Sequence, residues 1–270
     1  FLEDSTNDPH ARRLTYEILS ARDSGFADRW KNRFLADPSL ELRRESVQVV
    51  LADAEELLKG GKDDSARDKF GVALTAARDL DQITSAAKAL GKLGTKVDVN
   101  DVMGFVTKWY LAAPFDNTDK KGFDVAYAPE KGVDLEATYD GKDAKVKWVA
   151  HATDQEFGIV DINEALDKHK GAICYAYAEF DSAEARDVDI RIGCINGNKV
   201  WLNGKLLTAN HVYHANIFVD QYVAQGQLKA GKNSILVKVA QNEQTDDWAQ
   251  RWQFQLRVCD ALGGAVKSAP

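Results

Sequence analysis

Two short stretches concentrate side chains able to recognise a hydroxylated ligand. Asn210-His211-Val212-Tyr213-His214-Ala215-Asn216 sets a phenol and two imidazoles among amides, and Asn242 to Arg251 adds Asp246, Asp247 and the indole of Trp248. A pyranose ring presents an apolar C–H face and a rim of hydroxyls, so its recognition needs an aromatic plate with amides, carboxylates or imidazoles alongside. Tyr213 and Trp248 are the plates; Asn210, His211, His214, Asp246 and Asp247 are the hydroxyl partners. Ordinary solvated loops share this polarity, but a large aromatic on a loop needs a partner or a packing reason.

Other chemistries are less complete. His211 and His214 are three residues apart, and zinc requires a third ligand of matching geometry that the sequence does not offer. Glycoside hydrolysis needs two carboxylates about 5 to 9 Å apart. Glu243 with Asp246 or Asp247 supplies the residue types, whereas the adjacent pair Asp246 and Asp247 would point in different directions on an extended loop. No Gly-x-Ser-x-Gly elbow, phosphate loop, dinucleotide fingerprint or His-Glu-x-x-His is present. The balance favours binding over catalysis, with hydrolysis as a remote alternative.

The elements that must position these loops change character near residue 100. The first hundred residues are rich in Ala, Leu and charge at helical spacing, while five of the six tryptophans and all three cysteines lie beyond them. Asp8-Pro9 and Asp37-Pro38 each read as an N-cap followed by proline at the first helical position. After the first, Leu14, Ile18 and Leu19 recur at helical spacing. After the second, Leu42, Val47, Val50, Leu51, Ala54, Leu57 and Leu58 draw an apolar stripe that stops at Gly60-Gly61. Further helices are expected over 65–78 and 80–93, and a short one at Phe26, Trp30 and Phe34. Beyond residue 100, runs of β-branched and aromatic residues alternate with polar ones between Gly and Asn turns. Strands are expected over 105–112, 135–139, 145–150, 172–180, 188–195, 199–202, 205–208, 217–219, 234–240 and 252–259. Asn203-Gly204 carries the type I′ hairpin signal, and Asp161 begins a short helix to Lys168 with Glu164 at the capping-box position. Trp109, Trp148, Trp201 and Trp252 read as core or sheet-covering residues.

The chain has 270 residues, 44% of them hydrophobic and 29% charged, which suits one large core or two modest ones. Its net charge of -7 argues against a nucleic-acid partner, which calls for clustered Lys and Arg. No run is apolar for the roughly 20 residues a membrane helix needs. Cys174, Cys194 and Cys259 form no Cys-x-x-Cys, and their apolar surroundings favour free buried thiols over a single disulfide. The chain begins at Phe1 and its one methionine is Met103, so it reads as a piece of a larger protein.

The string Asp37-Pro38-Ser39-Leu40-Glu41-Leu42-Arg43-Arg44-Glu45-Ser46-Val47 resembles the HEAT-repeat signature, and Asp79 to Gly94 resembles the second helix of such a unit. That resemblance implies paired antiparallel helices, with the Asp and Arg in repeat-internal hydrogen bonds. About two units are fewer than the three or so that stand alone, so a neighbour or the second domain would have to cap them. In the second part, Lys199-Val200-Trp201-Leu202-Asn203-Gly204-Lys205 and Leu228 to Val239 are similar to the galactose-binding-like jelly roll, found in carbohydrate-binding modules and beside glycoside hydrolase catalytic domains. Both motifs describe turns and core strands rather than ligand contacts. The resemblance also implies a structural Ca²⁺, for which Asp116, Asp119 and Asp260 are the candidate ligands, although no Asp-x-Asp-x-Asp-Gly loop occurs.

The expected architecture is therefore multidomain α plus β: HEAT-like antiparallel helices over 1–100, a jelly-roll β-sandwich over 101–264 and a tail over 265–270. The expected function is that of a non-catalytic carbohydrate-binding module of a larger bacterial protein, secreted, periplasmic or on the cell surface. Its partner would be an oligosaccharide or polysaccharide. A structural or protein-interaction scaffold, meeting its partner through the helices, is the alternative.

Overall fold

A computed structural model describes residues 1–30 and 32–269 of the chain. They form two compact units, Phe1–Val99 and Asn100 onward. The protein is α plus β, with an N-terminal helical region followed by antiparallel sheets.

The helical region comprises α1 (Pro9–Arg22), α2 (Phe26–Trp30), α3 (Leu40–Lys59), α4 (Asp63–Ala76) and α5 (Leu80–Lys92). Asp8 caps α1 as its sequence predicts, accepting from Ala11 N at 2.8 Å. At α3 the start is displaced by two residues: Ser39, not Asp37, is the cap and accepts from Leu42 N at 3.4 Å. Asp37 is committed elsewhere. Its carboxylate accepts from both terminal nitrogens of Arg12, at 2.9 and 2.7 Å, and from Ser39 N at 2.8 Å. Arg12 is 1% exposed, and a buried guanidinium left without a carboxylate would be far more costly than one cap changed for another. Arg43 Nε donates to the Asp37 carbonyl at 3.0 Å, so the Asp and Arg of this string make structural bonds.

The face of α1 also differs from expectation. Leu14, Ile18 and Leu19 are 57%, 46% and 38% exposed, while Arg12 and Tyr16, one turn apart, point inward. Tyr16 packs edge-on against Phe26 and Phe34, with centroids at 5.7 and 5.9 Å. The ion pair and these ring contacts together select the buried face, overriding aliphatic spacing. α2 stops at Trp30, so Phe34 joins the same cluster from outside a helix. The stripe on α3 is buried from Leu42 to Ala54, and the helix ends at Gly60 and Gly61, with Gly61 at φ +70°.

After the short α6 (Val99–Met103) come β1 (Lys108–Asp116), α7 (Ala128–Lys131), β2 (Thr138–Asp140), β3 (Lys145–Lys147), β4 (Val149–Ala152), β5 (Val160–Asp161) and α8 (Ile162–Ala165). There follow β6 (Ala172–Ser182), β7 (Arg186–Cys194), β8 (Gly197–Leu202), β9 (Lys205–Asn210), β10 (Tyr222–Leu228), β11 (Gly231–Gln241) and β12 (Gln253–Cys259). A six-stranded sheet runs β4-β1-β6-β11-β8-β9 and a four-stranded sheet runs β10-β7-β12-β5, every pairing antiparallel. Alternate residues of both sheets meet in one buried cluster, with Leu111, Cys174 and Val237 on one side and Ile192, Leu256 and Phe254 on the other. Trp252 is fully buried there, its Nε1 donating to Val239 O at 3.3 Å. Trp109, Trp148 and Trp201 are buried as well.

Most strands lie where alternation places them, and Asn203 (φ 52°) and Gly204 (φ 78°) make the expected hairpin turn. The strand expected over 217–219 is instead irregular, and the edge strand is Tyr222–Leu228. Its inward positions are Tyr222, Ala224, Gly226 and Leu228, and the small residues among them hide the apolar alternation. The helix expected to reach Lys168 stops at Ala165, and Glu164 accepts from Gln155 Nε2 at 3.0 Å in place of a capping box. The residues set apart as a tail begin inside the fold: Ala265 bridges to Cys259, and Val266 is 6% exposed in the shared core.

Residues 117–148 cover the outer face of the six-stranded sheet, over a second apolar cluster containing Phe115, Phe123, Tyr175 and Trp201. Lys238, fully buried on β11, pins this cover. Its ammonium donates to Phe123 O at 3.0 Å, Val125 O at 2.8 Å and Glu130 Oε1 at 2.8 Å, so all three protons are used. Tyr175 OH donates to the same Glu130 oxygen. Burial draws the Lys238 ammonium below the usual lysine range, and the Glu130 carboxylate opposes that shift.

Candidate functional site

Strand register determines which loops meet. Asp116 on β1 stands opposite Ala172 on β6, Ala172 opposite Gln241 on β11, Ala240 opposite Gly197 on β8, and Asn198 opposite Asn210 on β9. The loops leaving β1, β9 and β11 therefore emerge from one end of the six-stranded sheet. They are residues 117–127, 211–221 and 242–252.

Buried amides form the floor. Asn117, with no exposed surface, donates from Nδ2 to Gln241 O at 3.0 Å and to Tyr213 OH at 3.1 Å. Asn196 Nδ2 donates to Gln241 Oε1 at 2.6 Å, and Asn210 Nδ2 donates to Asn198 Oδ1 at 3.0 Å. Asn242 Oδ1 lies 2.9 Å from His214 Nε2. These bonds tie all three loops to the sheet end.

Above the floor runs a chain of rings. Phe123 and His211 stack face to face, 4.1 Å apart at 3°; His211 and Tyr213 are 5.3 Å apart, Tyr213 and His214 6.4 Å, and His214 and Trp248 5.0 Å at 82°. Five rings from three loops thus lie in sequence and end at Trp248, which is 61% exposed. Lys120 Nζ sits 5.2 Å from the Tyr213 ring centroid and Lys199 Nζ 4.5 Å from that of Phe123. Burial raises the Tyr213 phenol above the usual range, so it remains a neutral hydrogen-bonding group at any ordinary pH.

Backbone strain concentrates in the same place. Among the described residues six non-glycines have φ near +60°, and four of them, Asp119 (56°), Lys120 (62°), His214 (58°) and Asp220 (59°), belong to these loops. Each such conformation costs about 1 to 3 kcal/mol and persists only where surrounding contacts hold it. Asp119 is held by its N–H, which donates to Glu243 Oε1 at 2.5 Å. His214 Nδ1 and Asn117 Oδ1 are buried without a hydrogen-bond partner in the protein.

His211, Tyr213, His214 and Trp248 are brought together, and Asn210 lies beneath them in the floor. Tyr213 is half-buried and bonded at its hydroxyl, so of the two expected plates Trp248 is the open one. Asp246 and Asp247 are exposed beside it, and the Asp246 carbonyl accepts from Ala249 N at 2.9 Å. The third loop, with Asn117, Lys120 and Phe123, has no aromatic doublet to mark it; its signal in sequence is only the Asp-Asn-Thr-Asp turn that follows β1.

The carboxylates expected to share a calcium do not converge. Asp116 Oδ1 accepts from the Thr118 hydroxyl at 2.6 Å, a bond that holds its carboxyl below the usual range, and Asp119 pairs with Lys121. Asp260 Oδ1 accepts from Leu262 N and Gly264 N within its own turn. Among the described residues, no three His, Cys, Asp or Glu side chains are grouped to hold a metal ion. Each acidic side chain has satisfied itself locally, and no shared centre forms. Cys174, Cys194 and Cys259 are all free and buried.

No protein-family model matches this chain, and no curated protein matches it significantly. Solved structures similar in part include a β-glucosidase from Kluyveromyces marxianus, 14% identical, covering 33% of this chain and 11% of that one at a TM-score of 0.27. An anti-sigma factor domain-containing protein from Clostridium clariflavum is 12% identical over 61% of this chain and 45% of that one, at 0.35. A family 35 carbohydrate-binding module from Clostridium thermocellum is 12% identical over 33% of this chain and 72% of that one, at 0.23. The neighbours thus include a carbohydrate-binding module and a glycosidase, at scores that do not establish a shared fold. The chain spans about a tenth of the length of the β-glucosidase. Among the described residues, no helix is long and apolar enough to cross a membrane.

Proposed function

We propose that this chain is a non-catalytic carbohydrate-binding module of a larger, extracytoplasmic bacterial protein, and that the three-loop cluster is its saccharide site. The observation that carries this reading is the run of five rings ending at the open face of Trp248. A sugar stacks its C–H face on the indole, while Asp246, Asp247 and His211 meet its hydroxyls. The strained backbone at Asp119, Lys120 and His214 supports the assignment, because such strain gathers where a surface is preorganised for a ligand. Glu243 is occupied by the Asp119 amide, which favours binding over hydrolysis. The two sheets, with the hairpin at Asn203-Gly204, are read as a galactose-binding-like jelly roll, and the short-connected helices α3 to α5 as HEAT-like.

The test is a glycan array probed with the whole chain, with and without calcium, and repeated with Trp248→Ala and Tyr213→Phe. Binding to a defined saccharide that Trp248→Ala loses, with its circular dichroism unchanged, supports the reading. A blank array with folded protein overturns it. The exposed stripe of Leu14, Ile18 and Leu19 on α1 favours a second reading, in which the helical unit is a protein-interaction scaffold.

A further inference from the structure

We infer that a second site, for a small polyhydroxylated ligand, lies at the far end of the β8–β9 hairpin from the loop cluster. A cleft of about 630 Å³ opens there, lined by the hairpin turn and by residues of β7 and β10. Its volume is in the range of small-molecule sites.

The register builds its polar wall. Asp187 pairs with Gln227 and Asp189 with Gln225 across β7 and β10, which sets two carboxylates and two carboxamides on one face. Gln227 Nε2 donates to Asp187 Oδ1 at 3.1 Å, and Arg191 holds Asp189 through Oδ2 at 2.8 Å. One oxygen of each carboxylate is thereby fixed and the other is left to accept. Lys205, beside the hairpin turn, adds an ammonium to the lining. Gly226 lies between the two glutamines. A Cβ there would stand 2.8 Å from Leu202 Cδ2 and 3.2 Å from Leu207 Cδ1, so the glycine is what lets the aliphatic hairpin close against β10.

Elimination points to the ligand class. An anion would face Asp187 and Asp189, and an apolar molecule would bury polar groups without partners. A metal ion would need three acidic or imidazole ligands grouped together, and among the described residues there is no such group. Neighbouring hydroxyls, each both donor and acceptor, match a wall that alternates carboxylate, carboxamide and ammonium. The cleft lining holds no aromatic plate, so hydrogen bonds carry the affinity and set it on the order of millimolar.

The experiment is a ¹H–¹⁵N titration of the whole chain with the methyl pyranosides of glucose, galactose, mannose and xylose. Each is taken to about 50 mM, well above the millimolar affinity expected. The expected result is saturable shifts of amides in 187–189, 203–205 and 225–227 with at least one glycoside. Those shifts persist in Trp248→Ala and weaken at least about tenfold in affinity in Gln225→Ala/Gln227→Ala, whereas loss of the loop site alone leaves them intact. Both glutamines are exposed, and if the double variant is misfolded, Lys205→Ala at the exposed hairpin gives the same readout. Absence of saturable shifts in these segments with all four glycosides overturns the proposal. So do shifts unchanged in the folded variants, or shifts given by CaCl₂ and by no glycoside.

Discussion

His214 sits in a left-handed backbone conformation with its imidazole edge against the Trp248 indole, ring centroids 5.0 Å apart at 82°. Nε2 of the same ring meets Asn242 Oδ1 at 2.9 Å. The imidazole thus joins the loop after β9 to the loop after β11, and packs against the open indole of Trp248.

Trp248→Ala removes the plate without touching the core, since the indole is 61% exposed. Saccharide affinity is expected to fall at least about tenfold while the melting temperature stays within about 2 °C. Calorimetric titration with the saccharide identified on the array, alongside thermal denaturation, checks both halves.

At position 214 the backbone and the side chain can be separated. His214→Ala loses the Asn242 bond and keeps a Cβ in the left-handed region, whereas His214→Gly loses the bond and the steric cost together. The glycine variant is expected to be more stable than the alanine variant by about 0.5 to 1 kcal/mol, measured by urea denaturation. Equal stability would mean that the conformation carries no strain.

Lys238→Met leaves the carbonyls of Phe123 and Val125 without their donor and Glu130 with the Tyr175 hydroxyl but no counter-charge. The loss is expected to be about 3 to 5 kcal/mol, because a largely buried carboxylate loses its cation. Hydrogen exchange should quicken first in residues 118–130. Because Phe123 carries His211, saccharide affinity should fall as well.

Asp220 governs acid stability on the four-stranded sheet. Burial alone would raise its carboxyl, but Arg257, which donates to both its oxygens, and Arg191, at 2.8 Å from Oδ2, hold it below the usual range. A carboxylate with a depressed folded pKa contributes stability above its unfolded value, about 3.9, and loses it as pH falls through the folded one. Asp220→Asn is expected to lower the melting temperature at pH 7, where Arg257 is left 2% exposed and unpaired, and to flatten the decline below pH 4. Melting curves from pH 2 to 7 decide it; parallel acid limbs in wild type and variant would overturn it.

The buried thiols should be inert in the native state. Burial pushes Cys194 up to about 12 and Cys259 up to about 11, and Cys174 higher still. A thiol-reactive chromophore at pH 8 is expected to label none of the three until guanidinium unfolds the chain, and then all of them.

Local chemistry made several elements readable from the amino-acid order alone. The Asp8 cap, the Gly60-Gly61 stop and the Asn203-Gly204 turn each depend on a few adjacent residues and their own φ angles. Buried strands such as β6, β7 and β11 announced themselves by composition. The concentration of aromatic and polar side chains in two loops, with His211, Tyr213, His214 and Trp248, was likewise legible in residue type.

Tertiary structure decided what depends on partners distant in sequence. Ser39 replaces Asp37 as the cap because Arg12, 25 residues from Asp37, claims its carboxylate. The face of α1 turns toward Tyr16's ring contacts, leaving Leu14 and Ile18 outside. Asn117, Lys120 and Phe123 join the site only because antiparallel register brings the end of β1 beside the ends of β9 and β11. Propensity and caps act over one helical turn, whereas ion pairs, ring contacts and strand register act across the fold; the first kind of determinant is written in the sequence, and the second exists only once the chain has closed on itself.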